Sequence, residues 1–164
     1  MNKKELRKYA INLRKNLYYD KNQLEKDVLD IIGDKKNIAI YYPLEFEIDL
    51  LFLKKYDLNL CFPKTDGTNL KFFLNPTQFK KGSFNVLEPI DGTLISSKDI
   101  DIMFVPALII NERNYRIGYG KGYYDRYLKN TNVKTIGICY KDLYLDFLEE
   151  ENDVKLGGVI LCKQ

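Results

Sequence analysis

At 164 residues the chain has room for one domain with a full core but not for a second complete one. Its composition, 45% hydrophobic and 30% charged, is that of a globular protein, and its formal net charge of +3 suits an anionic ligand without demanding one. It contains no histidine, which excludes Ser-His-Asp and Cys-His nucleophilic chemistry and most zinc sites.

The chemistry left open rests on carboxylates, lysine, arginine and backbone amides, with a hard, oxygen-bound ion such as Mg²⁺ as the metal to expect. No apolar run approaches the roughly twenty residues needed to cross a bilayer. Met1 to Asp20 is charged and helical in pattern, without a secretory core, so a cytoplasmic location is expected.

Leu6, Ala10, Leu13 and Leu17 recur at helical spacing and predict an amphipathic helix over residues 3–18. Asp20 with Gln23 resembles a capping box, and Leu24, Val28 and Ile31 continue a second helix to Gly33. A strand over 37–42, ended by Pro43, precedes a short helix over 47–57. Strands follow over 58–62 and 69–75, then an irregular stretch over 80–92 and a long strand over 99–110. A glycine segment comes next, opening a helix over 123–130. A strand over 133–140, a helix over 144–151 and a last strand over 157–162 complete the pattern. Strands such as IMFVPALII are apolar on both faces, which implies a largely parallel sheet between helical layers. Cys61, Cys139 and Cys162 are odd in number and lie in apolar stretches, so buried free thiols are expected.

The segment RIGYGKGYYDR, residues 116–126, places Gly118, Gly120 and Gly122 at alternate positions among an arginine, a lysine, tyrosines and an aspartate. It follows a central strand and leads into a helix, where open α/β sheets bind ligands. Glycines there let consecutive N–H groups turn toward one centre and form an anion-binding nest, for which phosphate is the natural occupant. Arg116 and Lys121 would add a bidentate fork and a movable point charge. The spacing is neither a Walker A loop nor a dinucleotide fingerprint, and on its glycines alone a flexible surface turn explains it equally well.

The longer string RIGYGKGYYDRYL closely resembles the R-x-G-x-G-x-G-Y-Y-D signature of the 5-formyltetrahydrofolate cyclo-ligase family, also called methenyltetrahydrofolate synthetases. KKELRK resembles that family's nucleotide-contacting K-x-x-x-R, and YYPLEFEIDL the segment carrying its folate-contacting glutamate. CFPK, NVLEPI, DIMFVPALII and TIGICY match further landmarks in the same order.

The resemblance implies a three-layer α/β/α sandwich binding Mg-ATP and 5-formyltetrahydrofolate and yielding 5,10-methenyltetrahydrofolate, ADP and phosphate. It implies catalysis by Arg116 and Lys121. ATP would be bound by Lys3, Arg7, Arg116, Gly118, Gly120, Lys121, Gly122, Tyr123 and Tyr124. Folate would contact Glu47, Tyr119, Gly120, Lys121, Gly122 and Tyr123. Asp125 and Asp153 would take Mg²⁺, the latter in a C-terminal region that departs from the family pattern. In the family's scheme the formyl oxygen attacks the γ-phosphate, N10 closes on the iminium phosphate, and phosphate departs. That first step removes no proton, so it needs alignment and charge neutralisation rather than a histidine base.

From the residues alone, Lys3 and Arg7 are ordinary solvated charges on one helical face, and Asp125 and Glu47 are first-turn acids that favour the helix dipole. Tyr41 and Tyr42 join the motif tyrosines as rings able to stack on a ligand or pack in the core. A nucleotide-binding module without turnover and a single-strand nucleic-acid binder are the alternatives. The second needs a continuous basic stripe, against which the scattered acids argue. The expected partners are small molecules, with no nucleic acid and no membrane, and the expected state is a monomer.

Overall fold

The computed structural model describes residues 1–164. Helix α1 spans Lys3–Leu13; the Asn2 side chain caps it by accepting from the Glu5 amide at 2.9 Å, and Leu6 and Ala10 are its buried face. It ends short of the expected 18 in a 3₁₀ turn over Arg14–Asn16. Leu17 is already extended and the Asp20 amide is tied to the Lys163 carbonyl at 2.8 Å, which draws the chain off the helix axis. Helix α2, Lys21–Ile32, starts as expected with the Asp20 side chain accepting from the Gln23 amide at 3.0 Å, and ends at Gly33, whose φ is 55°.

The strands are β1 (Asn37–Ala39), β2 (Asn59–Asp66), β3 (Asn69–Leu74), β4 (Phe79–Lys81), β5 (Leu87–Pro89), β6 (Thr93–Ile95), β7 (Ile102–Pro106), β8 (Ile109–Ile110), β9 (Arg116–Ile117), β10 (Lys134–Tyr140) and β11 (Gly158–Cys162). Seven of them form one sheet in the order β11-β10-β7-β1-β2-β3-β6. Its first five strands are parallel; β3 and β6 extend it antiparallel, β3 returning from β2 through a tight turn at Gly67 and Thr68. Ile38 of β1 pairs with Leu60 on one side and Ile102 on the other. The residues Ile102 to Val105 and Thr135 to Tyr140 are buried on both faces, as layers on either side of a parallel sheet require. The third helix, α3 (Tyr123–Leu128), packs on β3, and α2 on β11. No helix is long and apolar enough to cross a membrane.

Four further expected elements differ. The strand expected over 37–42 stops at Ala39, because Tyr41 turns inward to donate its hydroxyl to the Ile48 carbonyl at 2.6 Å. The helix expected over 47–57 is a 3₁₀ stretch over Leu51–Lys55. Glu47 therefore caps no helix; its carboxylate turns back to accept from the Leu44 amide at 2.6 Å. The expected long strand breaks after Pro106, and β8 pairs instead with β9 in a separate ribbon. The helix expected over 144–151 is irregular, since tertiary partners take its backbone groups. The Leu145 amide donates to the Ile110 carbonyl, and the Phe147 carbonyl accepts from Asn111 Nδ2 at 3.1 Å and from Arg113 Nη2 at 2.6 Å. The stretch over 80–92 holds the β4–β5 hairpin. The three cysteines are buried and free, and burial pushes the Cys61 and Cys162 thiols up to about 12.

Candidate active site

Strand β1 lies between β2 and β7, so the chain leaves it in opposite directions on either side, and β1 marks a switch point where a crevice opens beyond the carboxyl ends of the strands. A cleft of about 1040 Å³ lies there. Tyr41, Tyr42, Leu44 and Glu47 enter it from the end of β1, Pro106 from the end of β7, and residues 116–126 form one wall. Lys3 and Arg7 reach it from α1, and Asp153 with Glu150 and Asn152 from the C-terminal segment. Every residue assigned to the site from sequence lines this cleft.

The β8–β9 turn positions the wall. Asn111 is fully buried, and its Oδ1 accepts from the amides of Arg113 and Tyr115, each at 3.0 Å. Arg116 follows at 9% exposure. Its Nη1 donates to the Pro106 carbonyl at 2.9 Å, its guanidinium lies 5.1 Å from the centre of the Tyr124 ring, and its Nε has no partner. Burial pushes this guanidinium below its ordinary value, opposed by the carboxylates of Asp125, Asp153 and Glu47. A buried cation with an orphaned N–H is built to meet an anion.

The glycines answer to two demands. Gly120 and Gly122 have φ of 94° and 71°, a conformation side chains rarely adopt, while their non-glycine neighbours stay at negative φ. The amides from Gly118 to Gly122 donate to no acceptor within the protein, so the alternation leaves a row of free N–H groups. The second demand is space for arginines. A Cβ at Gly118 would sit 2.5 Å from Arg116 Nη1 and one at Gly120 would sit 3.2 Å from the Arg7 Cζ. Arg7 Nε in turn donates to the Gly118 carbonyl at 2.9 Å, which fixes α1 against the loop.

Around this row, Lys121 is exposed with its Nζ 5.3 Å from the centre of the Phe84 ring. Tyr123 donates its hydroxyl to the Gly67 carbonyl at 3.0 Å, and Arg126 Nε donates to the Thr68 carbonyl at 2.8 Å, clasping α3 to the β2–β3 turn. Tyr124 is half-buried, and its hydroxyl, itself buried and unpartnered, is raised by that burial. Tyr119 accepts from Arg14 Nη1 at 2.6 Å, and burial pushes its hydroxyl up to about 12.

Burial likewise pushes the Glu47 carboxyl above the ordinary range, against the Leu44 amide, Arg14, the Tyr119 hydroxyl and Arg116, which favour its charged form. Lys3 Nζ pairs with Asp153 Oδ2 at 2.7 Å, and Asp125 Oδ1 accepts from the Val154 amide at 3.4 Å. Asp125 and Asp153 thus stand on one wall from different segments, although no cluster of three or more metal-binding side chains forms.

Sequence reasoning missed Arg14, Thr65, Phe84, Glu88 and Arg126. Arg14 had a readable signal, since Lys3, Arg7 and Arg14 are spaced to fall on one helical face. Phe84 and Glu88 come from the β4–β5 hairpin, in a stretch without periodicity. The Glu88 carboxylate is buried and accepts from the Thr65 amide and hydroxyl, each at 2.8 Å, anchoring that hairpin to β2.

An open α/β fold with a cleft at its switch point, where arginines, lysines and free amides line one wall, is suited to an anionic ligand. Residues 3–161 match the profile of the 5-formyltetrahydrofolate cyclo-ligase family. The 5-formyltetrahydrofolate cyclo-ligase of Mycoplasma genitalium is 35% identical, covering 99% of this chain and 98% of the relative; that of Haemophilus influenzae is 27% identical, covering 96% and 94%. Among solved structures, the 5,10-methenyltetrahydrofolate synthetase of Mycoplasma pneumoniae superposes with a TM-score of 0.78 at 29% identity, covering 98% of each chain. The synthetase of Aquifex aeolicus gives 0.73 at 29% identity, covering 92% of this chain and 84% of that one. The chain belongs to the 5-formyltetrahydrofolate cyclo-ligase family.

Proposed function

We propose that the protein catalyses the ATP-dependent cyclisation of 5-formyltetrahydrofolate to 5,10-methenyltetrahydrofolate, releasing ADP and phosphate. The observation that carries this reading is the convergence of Glu47, Arg116, Lys121 and the free amides of residues 118–122 on one cleft, in a chain of this family.

A formamide carbon is a poor electrophile and its oxygen a poor leaving group. Transfer of the γ-phosphoryl group to the formyl oxygen forms an O–P bond and breaks the bond to ADP. N10 then attacks the activated carbon and loses its proton, and the C–O bond breaks to release phosphate carrying the formyl oxygen. The protein's part is positioning and electrostatics. Arg116 offers its unpartnered Nε, and the amide row its N–H groups, to the equatorial oxygens of the transferring group. Lys121 adds a mobile charge, and Lys3 and Arg7 neutralise the rest of the triphosphate. Glu47 accepts from the paired N–H donors of the pterin ring, and Tyr119 and Tyr123 flank it.

Mg²⁺ is commonly held by one or two carboxylates together with phosphate oxygens, so Asp125 and Asp153 suit a metal arriving with the nucleotide. It would supply charge neutralisation between the phosphates, and the nucleotide would draw Lys3 away from Asp153. The test is a spectrophotometric assay of purified protein following the near-ultraviolet absorbance of the methenyl product. Growth that stops when ATP or Mg²⁺ is left out is expected; growth without them, or none with ATP bound, contradicts the reading.

A further inference from the structure

The floor of the cleft continues into a small cavity behind Glu47, walled by Arg14, Tyr41, Pro106, Leu108 and Tyr140. Arg14 is 8% exposed and forms no ion pair at contact distance. Nη1 donates to the Tyr119 hydroxyl, the guanidinium lies 5.5 Å from the centre of the same ring, and Nε is unpartnered. A guanidinium in an apolar wall requires a counter-charge. Glu47 is the only carboxylate lining that cavity.

Tyr119 connects the two. Its oxygen accepts from Arg14, and it lines the cleft together with Glu47, whose charged form its hydroxyl favours. The groups facing Glu47 are Arg14 from the end of α1, Tyr119 and Arg116 from β9 and the glycine segment, Tyr41 from the end of β1 and Tyr124 from α3. The tyrosines are neutral, their hydroxyls raised by burial. Of the two cations, Arg14 lines the small cavity with Glu47 and Arg116 does not, so Arg14 is the counter-charge within it. Tyr140 closes the far side by donating its hydroxyl to the Phe46 carbonyl at 3.0 Å, which holds the turn that carries Glu47.

We propose that Arg14 is a positioning residue for folate recognition: acting through Tyr119, it supplies the counter-charge to Glu47 and fixes the direction in which that carboxylate meets the pterin N–H donors. This rests on the reading of Glu47 as a folate ligand. Arg14 touches neither substrate, so its effect belongs to folate KM rather than to the phosphoryl step.

The test measures Arg14→Gln, Arg14→Lys, Glu47→Gln and the double variant Arg14→Gln/Glu47→Gln with 5-formyltetrahydrofolate and Mg-ATP from acid to neutral pH. Arg14→Gln is expected to raise the folate KM roughly tenfold, and further in acid because an unbalanced Glu47 protonates more readily, with the KM for ATP within about twofold. Arg14→Lys recovers part of the loss. The double variant has no lone buried charge to hinder folding, and binds folate no worse than Glu47→Gln alone, because Arg14 acts through Glu47. Additive losses, a KM rise equal for both substrates, or a rise independent of pH overturns the proposal. If Glu47→Gln leaves folate KM unchanged, the reading of Glu47 falls and Arg14 with it. If Glu47→Gln raises folate KM and Arg14→Gln does not, the Arg14 proposal alone falls.

Discussion

Arg116 keeps one N–H on a protein carbonyl and leaves another unpartnered, a division that holds the side chain in place while reserving charge for a ligand. Arg116→Ala is expected to lower kcat by about 100-fold or more, as loss of a transition-state donor does, with a much smaller change in folate KM. Equal losses in both would assign Arg116 to ground-state binding. Glu47 gives a prediction of opposite kind. Its carboxyl is raised by burial, so the charged form is lost at a higher pH than for an ordinary carboxylate. Folate KM should therefore climb on acidification, at a pH where solvated carboxylates are still ionised, and Glu47→Gln should remove that limb. A limb unchanged in the variant would place the titration elsewhere. At this scale the sequence is most informative, because the signature's charges and glycines are chemical requirements that a motif records directly. Arg14 escapes the motif because it acts at one remove, through a tyrosine.

The elements carry the site through a few buried polar anchors. Asn111 joins the β8–β9 turn to the C-terminal segment: its Nδ2 donates to the Phe147 carbonyl at 3.1 Å and to Glu149 Oε2 at 3.0 Å, while its Oδ1 holds the turn itself. Asn111→Ala strands buried donors and acceptors and should cost about 1–3 kcal/mol of stability, read from urea unfolding. Unchanged stability would mean that the turn holds without it. The same contacts explain why residues 144–151 read as helix and fold otherwise. Asp146 and Glu149 look like solvent-facing helix acids, yet both pair with Arg113. Residues 47–57 fail for a related reason, since Tyr41 and Leu44 bind to Ile48 and Glu47 from outside the stretch. Helices α1 and α2 are legible because their caps and apolar faces are local.

For the whole molecule, the two-sided burial of β7 and β10 made a parallel sheet readable, but strand order was not, and the order puts the switch point at β1. That placement brings the ends of β1 and β7, the glycine segment, the start of α1 and residues 150–153 onto one cleft from positions far apart in the chain. In the proposed reaction this single cleft joins the formyl oxygen to the γ-phosphate of ATP. The most direct measurement follows 5-formyltetrahydrofolate carrying a heavy isotope in its formyl oxygen through turnover with Mg-ATP, with the phosphate and the water analysed by mass. The label is expected in the released phosphate, one labelled oxygen for each methenyl product formed. Label recovered in water, with phosphate unlabelled, would contradict it.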